Sequence, residues 1–168
     1  VSPSAVAAIV SKREIERVKA AGEQNITVLH NLLTSKSVEE VIAAAGAKPV
    51  RTKVGHSLIK DEMADTGAVF GGEHSAHYYF RDFWGADNGM LAAMHLVSEL
   101  AGSAKTMSEI SKSFTPYFAS GEINSTVENV AEALERVRTA FPEASEERFD
   151  GTTFSFASKD IWLSLIHI

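Results

Sequence analysis

Hydrophobic and polar residues follow two spacings along the first 113 residues, one typical of helices and one typical of strands. Apolar residues recur at helical spacing in five segments, and short β-branched or apolar runs lie between them. The predicted helices are Pro3 to Gly22, Ser37 to Gly46, Ser57–Thr66, Asn88–Leu100 and Thr106–Ser113; the predicted strands are Ile26–Leu29, Val50–Val54, Ala68–Phe70 and Tyr78–Phe80. This alternation predicts an α/β domain of three layers, with helices on both faces of a mixed, mostly parallel sheet.

Local signals define the helix ends and the helix faces expected to be buried. Ser2 followed by Pro3 is a typical helix start, and Ser37 with Glu40 has the spacing of a capping box. The apolar positions predict buried faces that carry Leu58, Ile59 and Met63 on the third helix and Met90, Leu91, Met94 and Val97 on the fourth.

The pattern changes near Pro116. Pro116–Ile123 is predicted to be a strand, and Val127–Phe141 an acidic amphipathic helix with Val130, Leu134 and Val137 facing inward. Asp150-Gly151 indicates a turn between two short strands. We therefore predict two domains, an α/β domain over residues 1–113 and a truncated α+β domain over residues 114–168.

Composition excludes several classes of function. The 168 residues contain no cysteine, which rules out disulfides, thiolate nucleophiles and cysteine zinc sites. The net charge of −6 argues against a nucleic-acid partner. No apolar run approaches the roughly 18 residues of a membrane helix, and Lys12, Arg13 and Arg17 follow the first apolar run, unlike the order in a signal peptide. A cytoplasmic location without membrane contact is the expectation.

The densest polar cluster is Gly71–His77, directly after a predicted strand. Ligands of parallel α/β sheets bind at the carboxyl ends of the strands, so this loop is expected at the ligand edge. The two glycines would permit a tight, exposed loop. Glu73, Ser75 and His77 supply acceptors and donors suited to sugar hydroxyls and a phosphate. The alternative is a polar turn whose side chains cap local backbone.

A second cluster, Lys53–Ser57, lies at a predicted helix start. Free N–H groups there favour an anion, and Lys53 or His56 could add positive charge. The alternative is that Ser57 only caps the helix and His56 is an ordinary surface residue.

Two other functions can be derived from the same region. Glu73, His74 and His77 could bind a metal, although their spacing is not that of a His-Glu-x-x-His motif. The aromatic stretch Tyr78–Trp84 could stack on bases, but the acidic charge favours core and loop packing.

Both polar clusters resemble the α-D-phosphohexomutase family, and most of all its bacterial phosphomannomutase/phosphoglucomutase members. Lys53–Lys60 is similar to one family motif, and Gly71–His77 matches the sugar-binding loop Gly-Glu-x-Ser-Gly-His with Ala76 in place of the second glycine. Ala86-Asp87-Asn88-Gly89 is also similar. The resemblance extends from residue 1 to about residue 157 and implies the third of four domains followed by the start of the fourth.

The resemblance also implies an activity and roles for five residues. The family moves a phosphoryl group between C1 and C6 of a hexose through a hexose 1,6-bisphosphate, using a phosphoserine and Mg²⁺. Glu73 and Ser75 would hold the 3- and 4-hydroxyls of mannose or glucose phosphates, and His77, His56 and Lys53 would contact the phosphate or the sugar edge. No catalytic residue and no metal ligand is predicted here, because the family's phosphoserine and Asp-Gly-Asp metal loops have no counterpart in the sequence.

Three hypotheses follow. The first is a recognition fragment of the mutase that is inactive by itself, with a non-native end from about residue 158. The second is a stand-alone sugar-phosphate-binding module. The third and weakest is a metal-dependent hydrolase built on Glu73, His74 and His77.

Overall fold

The structure is a computed structural model that describes residues 1–156 and 161–165 and divides the chain into two compact units, Val1–Phe118 and Ala119–Ile168. The elements of the first unit are α1 (Pro3–Ala20), β1 (Thr27–Asn31), α2 (Lys36–Ala44), β2 (Lys48–Thr52), α3 (His56–Thr66), β3 (Phe70–Gly72), β4 (Tyr78–Phe80), β5 (Ala86–Asp87), α4 (Gly89–Ala101) and α5 (Met107–Ser113).

The sheet of the first unit has the order β2-β1-β3-β4-β5. β1 pairs in parallel with both β2 and β3, whereas β4 and β5 run antiparallel to their neighbours. Successive residues of β1 serve opposite faces: Val28 packs in the core beneath α1 and α2, and Leu29 packs with Ile59 and Met63 of α3. The predicted three-layer α/β/α fold with a mixed sheet is confirmed.

Helix ends are set by local hydrogen bonds, and one of them differs from the prediction. Ser2 caps α1 as predicted, since its Oγ accepts from the Ala5 N–H at 3.2 Å. The cap of α2 is Ser35 and not Ser37, because the Ser35 Oγ accepts from the Ser37 N–H at 3.4 Å and Ser37 is itself buried. A reciprocal capping box is found instead at α5, between Thr106 and Glu109.

The predicted buried face of α4 was wrong at three of its four positions, whereas Leu91 is half-buried and packs against the core as predicted. Met90, Met94 and Val97 are 71%, 61% and 65% exposed. α4 packs against α1 with its other face, through the buried Ala92 and two polar contacts, from Arg13 to Glu99 at 2.9 Å and from His95 to Glu14 at 3.2 Å. On α3, Ile59 and Met63 are buried as predicted, but Leu58 is largely exposed.

Gly71 and Gly72 lie inside β3 and are buried, which corrects the expectation of an exposed glycine loop. A Cβ added to Gly72 would lie 2.8 Å from the Ala7 Cβ of α1, and one added to Gly71 would lie 3.0 Å from the Ile59 Cδ1 of α3. Two glycines therefore let both helices approach the central strand closely.

The second unit contains α6 (Val130–Ala140), β6 (Ser145–Arg148), β7 (Thr152–Phe156) and β8 (Ile161–Leu165). The strands form an antiparallel sheet, and the predicted turn at Asp150-Gly151 joins β6 to β7. The predicted strand Pro116–Ile123 was wrong, because that segment carries no regular structure. The predicted non-native end falls partly outside the described residues, at 157–160 and 166–168. No helix in the described part of the chain is long and apolar enough to span a membrane.

Candidate functional site

The polar residues singled out from the sequence follow the carboxyl ends of neighbouring parallel strands. β1 ends at Asn31, β2 ends at Thr52 just before Lys53, and β3 ends at Gly72 just before Glu73. Because these strands are parallel, their ends meet at one edge of the sheet. The candidate site is this edge.

The loop Glu73–His77 is a tight turn closed by its own backbone. The Glu73 N–H donates to the His77 carbonyl at 3.0 Å, and the Ala76 N–H donates to the Glu73 carbonyl at 3.2 Å. Ala76 has a φ of +67°, a left-handed conformation that glycine adopts without strain. Ser75 is exposed on this turn, with a hydroxyl that can donate and accept.

The Glu73 carboxylate is buried, with only 1% of the residue exposed. Its Oε2 accepts from the Tyr79 hydroxyl at 2.8 Å, and its Oε1 accepts from the Asn31 Nδ2 at 3.3 Å. The same Asn31 accepts from the His74 N–H at 3.3 Å, so one amide ties the loop to the end of β1. A carboxylate offers about four lone-pair sites, and two are used here. Glu73 is therefore buried and hydrogen-bonded at the start of the turn that exposes Ser75.

His77 is held by Asp87 of β5. The His77 Nδ1 lies 2.6 Å from Asp87 Oδ2, while Asp87 Oδ1 accepts from the Tyr78 N–H at 2.8 Å. A carboxylate clamped by a strand amide cannot rotate freely, so it fixes the imidazole ring opposite it. The ring keeps 39% of its side-chain surface exposed and remains accessible to a ligand.

The two sequence clusters meet through their histidines. His56 is the first residue of α3, and its ring lies edge-on to that of His77 with the centroids 4.2 Å apart. The His56 Nδ1 is 2.6 Å from the Tyr79 hydroxyl. Gly55 occupies the cap position of α3 with a φ of +144° and without a side-chain cap, so Ser57 does not cap this helix. Lys53 is exposed on the connection that precedes α3.

Sequence reasoning missed three residues that organise the site: Asn31, Tyr79 and Asp87. Asn31 ends a β-branched strand, and the aromatic stretch that contains Tyr79 indicated core packing. Asp87 lies in the motif Ala86-Asp87-Asn88-Gly89, whose similarity to the family implied no role for this residue. Burial of both Glu73 and Tyr79 is the reason for their pairing. Burial, followed by the hydrogen bond to Glu73, raises the pKa of the Tyr79 phenol, so the hydroxyl keeps its proton and can donate.

The hydrolase hypothesis finds no support in the geometry. Glu73 binds Tyr79 and Asn31, His77 binds Asp87, and the His74 Nδ1 lies 3.0 Å from the Ser4 Oγ. Across residues 1–156 and 161–165, no three His, Asp or Glu side chains form a group that could hold a metal ion.

Fold and site together define an α/β/α domain that presents histidine, serine and carboxylate groups at the carboxyl edge of a mixed sheet. Residues 2–118 match the family described as phosphoglucomutase/phosphomannomutase, alpha/beta/alpha domain III. The chain therefore belongs to the phosphoglucomutase/phosphomannomutase family.

Related proteins agree with this assignment. Phosphomannomutase of Escherichia coli K12 is 38% identical over 133 residues, covering 77% of this chain and 29% of that protein. Phosphomannomutase of Methanocaldococcus jannaschii is 32% identical over 158 residues, covering 94% of this chain and 34% of that protein. A family protein of Burkholderia thailandensis shares the fold, with a TM-score of 0.69, 21% identity and coverage of 93% of this chain and 33% of its own. The chain thus spans about a third of the length of these proteins.

Proposed function

We propose that this chain is the sugar-phosphate recognition part of a phosphomannomutase/phosphoglucomutase, an enzyme that moves a phosphoryl group between C1 and C6 of a hexose through a bisphosphate. Membership of the family and the name phosphomannomutase borne by its relatives support the proposal. The single observation that carries it is the meeting of His56 with His77 at one sheet edge, with the centroids 4.2 Å apart, beside the turn that exposes Ser75.

The environment of each group at this edge bears on the role that we propose for it. Ser75 is exposed and would bind a sugar hydroxyl directly. Glu73 is buried, so a direct bond to the neighbouring hydroxyl requires the turn to open and expose one of its remaining lone pairs. His77 and His56 would contact the phosphate or the sugar edge, and the exposed Lys53 would add long-range positive charge. The ligands are hexose phosphates of mannose or glucose.

The chain is proposed to be inactive by itself. Catalysis in this reaction class relies on a phosphoryl donor and on charges that stabilise the transferring group. In this proposal the described residues supply a binding edge, and no step passes through Mg²⁺. A coupled assay with mannose 1-phosphate should therefore detect no turnover by the purified 168-residue chain, and measurable turnover would contradict the proposal.

Binding is tested by NMR titration of the ¹⁵N-labelled chain with mannose 1-phosphate. The expected result is weak binding, with shifts confined to amides of residues 53–57 and 73–77. Ser75→Ala should weaken binding about fivefold, the effect of one lost hydrogen bond. Ser108→Ala is the matched control, because Ser108 is an exposed serine on α5 and lies outside both segments. Unphosphorylated mannose should bind the unmodified chain more weakly than mannose 1-phosphate does. The absence of any shift at these residues would contradict recognition at this edge.

A stand-alone sugar-phosphate-binding module is the second candidate. It is favoured by one observation: Val1–Phe118 is a compact unit with its own core on both faces of the sheet. This function predicts that residues 1–118 bind the ligand as tightly as the 168-residue chain, and that Glu73→Ala abolishes binding in both. Loss of binding in the shorter chain, with its fold intact, would exclude the module.

A cytoplasmic location stays a prediction.

A further inference from the structure

The buried tyrosine of the site forms hydrogen bonds with two residues that the sequence resemblance assigned to the ligand. Tyr79 is fully buried on β4, and its hydroxyl lies 2.8 Å from Glu73 Oε2 and 2.6 Å from His56 Nδ1. A phenol has one proton, so it donates to only one of these two atoms. Which partner receives that proton determines whether the Nδ1 of His56 carries a proton itself.

Proton accounting gives a single consistent arrangement. A carboxylate oxygen can only accept, so the Tyr79 proton must point to Glu73 Oε2. If that proton pointed to His56 instead, a phenol lone pair would face a carboxylate lone pair at 2.8 Å in a buried site, which is unfavourable. The His56 Nδ1 must then donate to the Tyr79 oxygen, which leaves Nε2 outside this chain of hydrogen bonds.

His77 reaches the same state through a different partner. Its Nδ1 lies 2.6 Å from Asp87 Oδ2, another oxygen that only accepts, so Nδ1 again carries the proton. Each of the two touching rings therefore has its Nδ1 engaged by the protein and its Nε2 outside that bond. A neutral Nε2 accepts from a hydroxyl, and the cationic ring donates from Nε2 to an anion.

We propose that Tyr79 is a positioning residue that connects Glu73 to His56 and holds His56 as the Nδ1–H tautomer, with Nε2 available to the ligand. The ligand part of this inference rests on the proposed function, whereas the tautomer can be tested without any ligand. Tyr79 thereby couples the loop after β3 to the start of α3, the two segments whose histidine rings touch.

The test is ¹⁵N NMR of the histidine rings in the 168-residue chain at about pH 8, above the range in which histidine ordinarily titrates. In the unmodified chain, His56 and His77 should both show the Nδ1–H tautomer. In Tyr79→Phe, His56 should revert to a mixture in which Nε2–H predominates, while His77 should not change. Tyr78→Phe is the matched control, because it removes the neighbouring phenol, whose hydroxyl donates to the Pro3 carbonyl at 3.2 Å.

Two results would overturn the proposed role of Tyr79. One is an Nε2–H tautomer at His56 in the unmodified chain, and the other is an unchanged His56 tautomer in a folded Tyr79→Phe variant. The first result is decisive even if the variant does not fold. A Tyr79→Phe effect on ligand binding is expected as well, with affinity for mannose 1-phosphate reduced about fivefold relative to Tyr78→Phe. If neither the unmodified chain nor the variants bind the sugar phosphate, the proposed function fails. The tautomer measurement still tests the proposed role of Tyr79.

Discussion

A single added methyl group at Gly72 should disturb the packing of α1 on the sheet. Gly72 pairs with His30 of β1 and Tyr78 of β4, so its backbone cannot shift without disturbing two strands. In Gly72→Ala the new Cβ would lie 2.8 Å from the Ala7 Cβ, 3.5 Å from the Ala7 Cα and 3.2 Å from a Phe70 ring carbon. The Ala7 Cβ is attached directly to the helix backbone, so only a movement of α1 relieves the contact.

The expected cost is about 2 kcal/mol, within the usual range for adding a methylene to a packed core. Gly71→Ala is the matched control, because its new Cβ would meet the Ile59 Cδ1 at 3.0 Å, the end of a side chain that can rotate. It should cost less than about 1 kcal/mol. Ala7→Gly removes the opposing Cβ and costs about 1 kcal/mol through lower helix propensity.

The assay combines urea unfolding with hydrogen exchange of the β1 and β3 amides, which report on the first unit. The double variant Ala7→Gly/Gly72→Ala should lose about 1.5 kcal/mol less stability than the two single losses added together, as expected for residues in contact. Additive effects, or a Gly71→Ala cost equal to that of Gly72→Ala, would refute the claim that the Ala7–Gly72 approach limits packing.

Three further predictions follow from groups outside this contact. Burial, helped by the nearby Arg51, lowers the pKa of His30 from 6.5 to about 4, so the unfolded chain binds more protons between these values and stability falls as the pH drops through them. The free energy of unfolding, measured with urea, should fall by about 2 kcal/mol between pH 7 and pH 5 because of His30. His30→Gln should remove this decrease, and an unchanged pH dependence in the variant would contradict the assignment. Ala76→Gly should stabilise the chain by about 0.5 kcal/mol, because relief of the left-handed strain exceeds the added entropy of the unfolded chain, and a lower melting temperature would argue against that strain. Met94→Ser should change stability by less than about 0.5 kcal/mol, whereas Ile59→Ala, at a fully buried position, should cost about 2–5 kcal/mol; a comparable loss at Met94 would show that its face is covered.

The sequence alone determined the features that depend on local chemistry. Helix and strand order could be read from the spacing of apolar residues, since each period reflects one backbone geometry. The start of α1 was predictable from Ser2 and Pro3, because a cap bonds to amides only a few residues away. Parallel pairing of β1 with β2 and β3 followed from the helices that connect them, and the motif at Gly71–His77 indicated the family.

Only the tertiary structure decided which surfaces meet. The apolar positions of α4 do not show which partner they meet. The helix packs through Ala92 and through ion pairs of His95 and Glu99 with α1, and it leaves Met94 exposed. Gly72 suggested an exposed loop until Ala7 was found against it. The contacts of Glu73 likewise could not be predicted, because Asn31 is 42 residues away in sequence and reaches it only when β1 and β3 pair. Such contacts depend on distances across the sheet, which no local pattern of residues encodes.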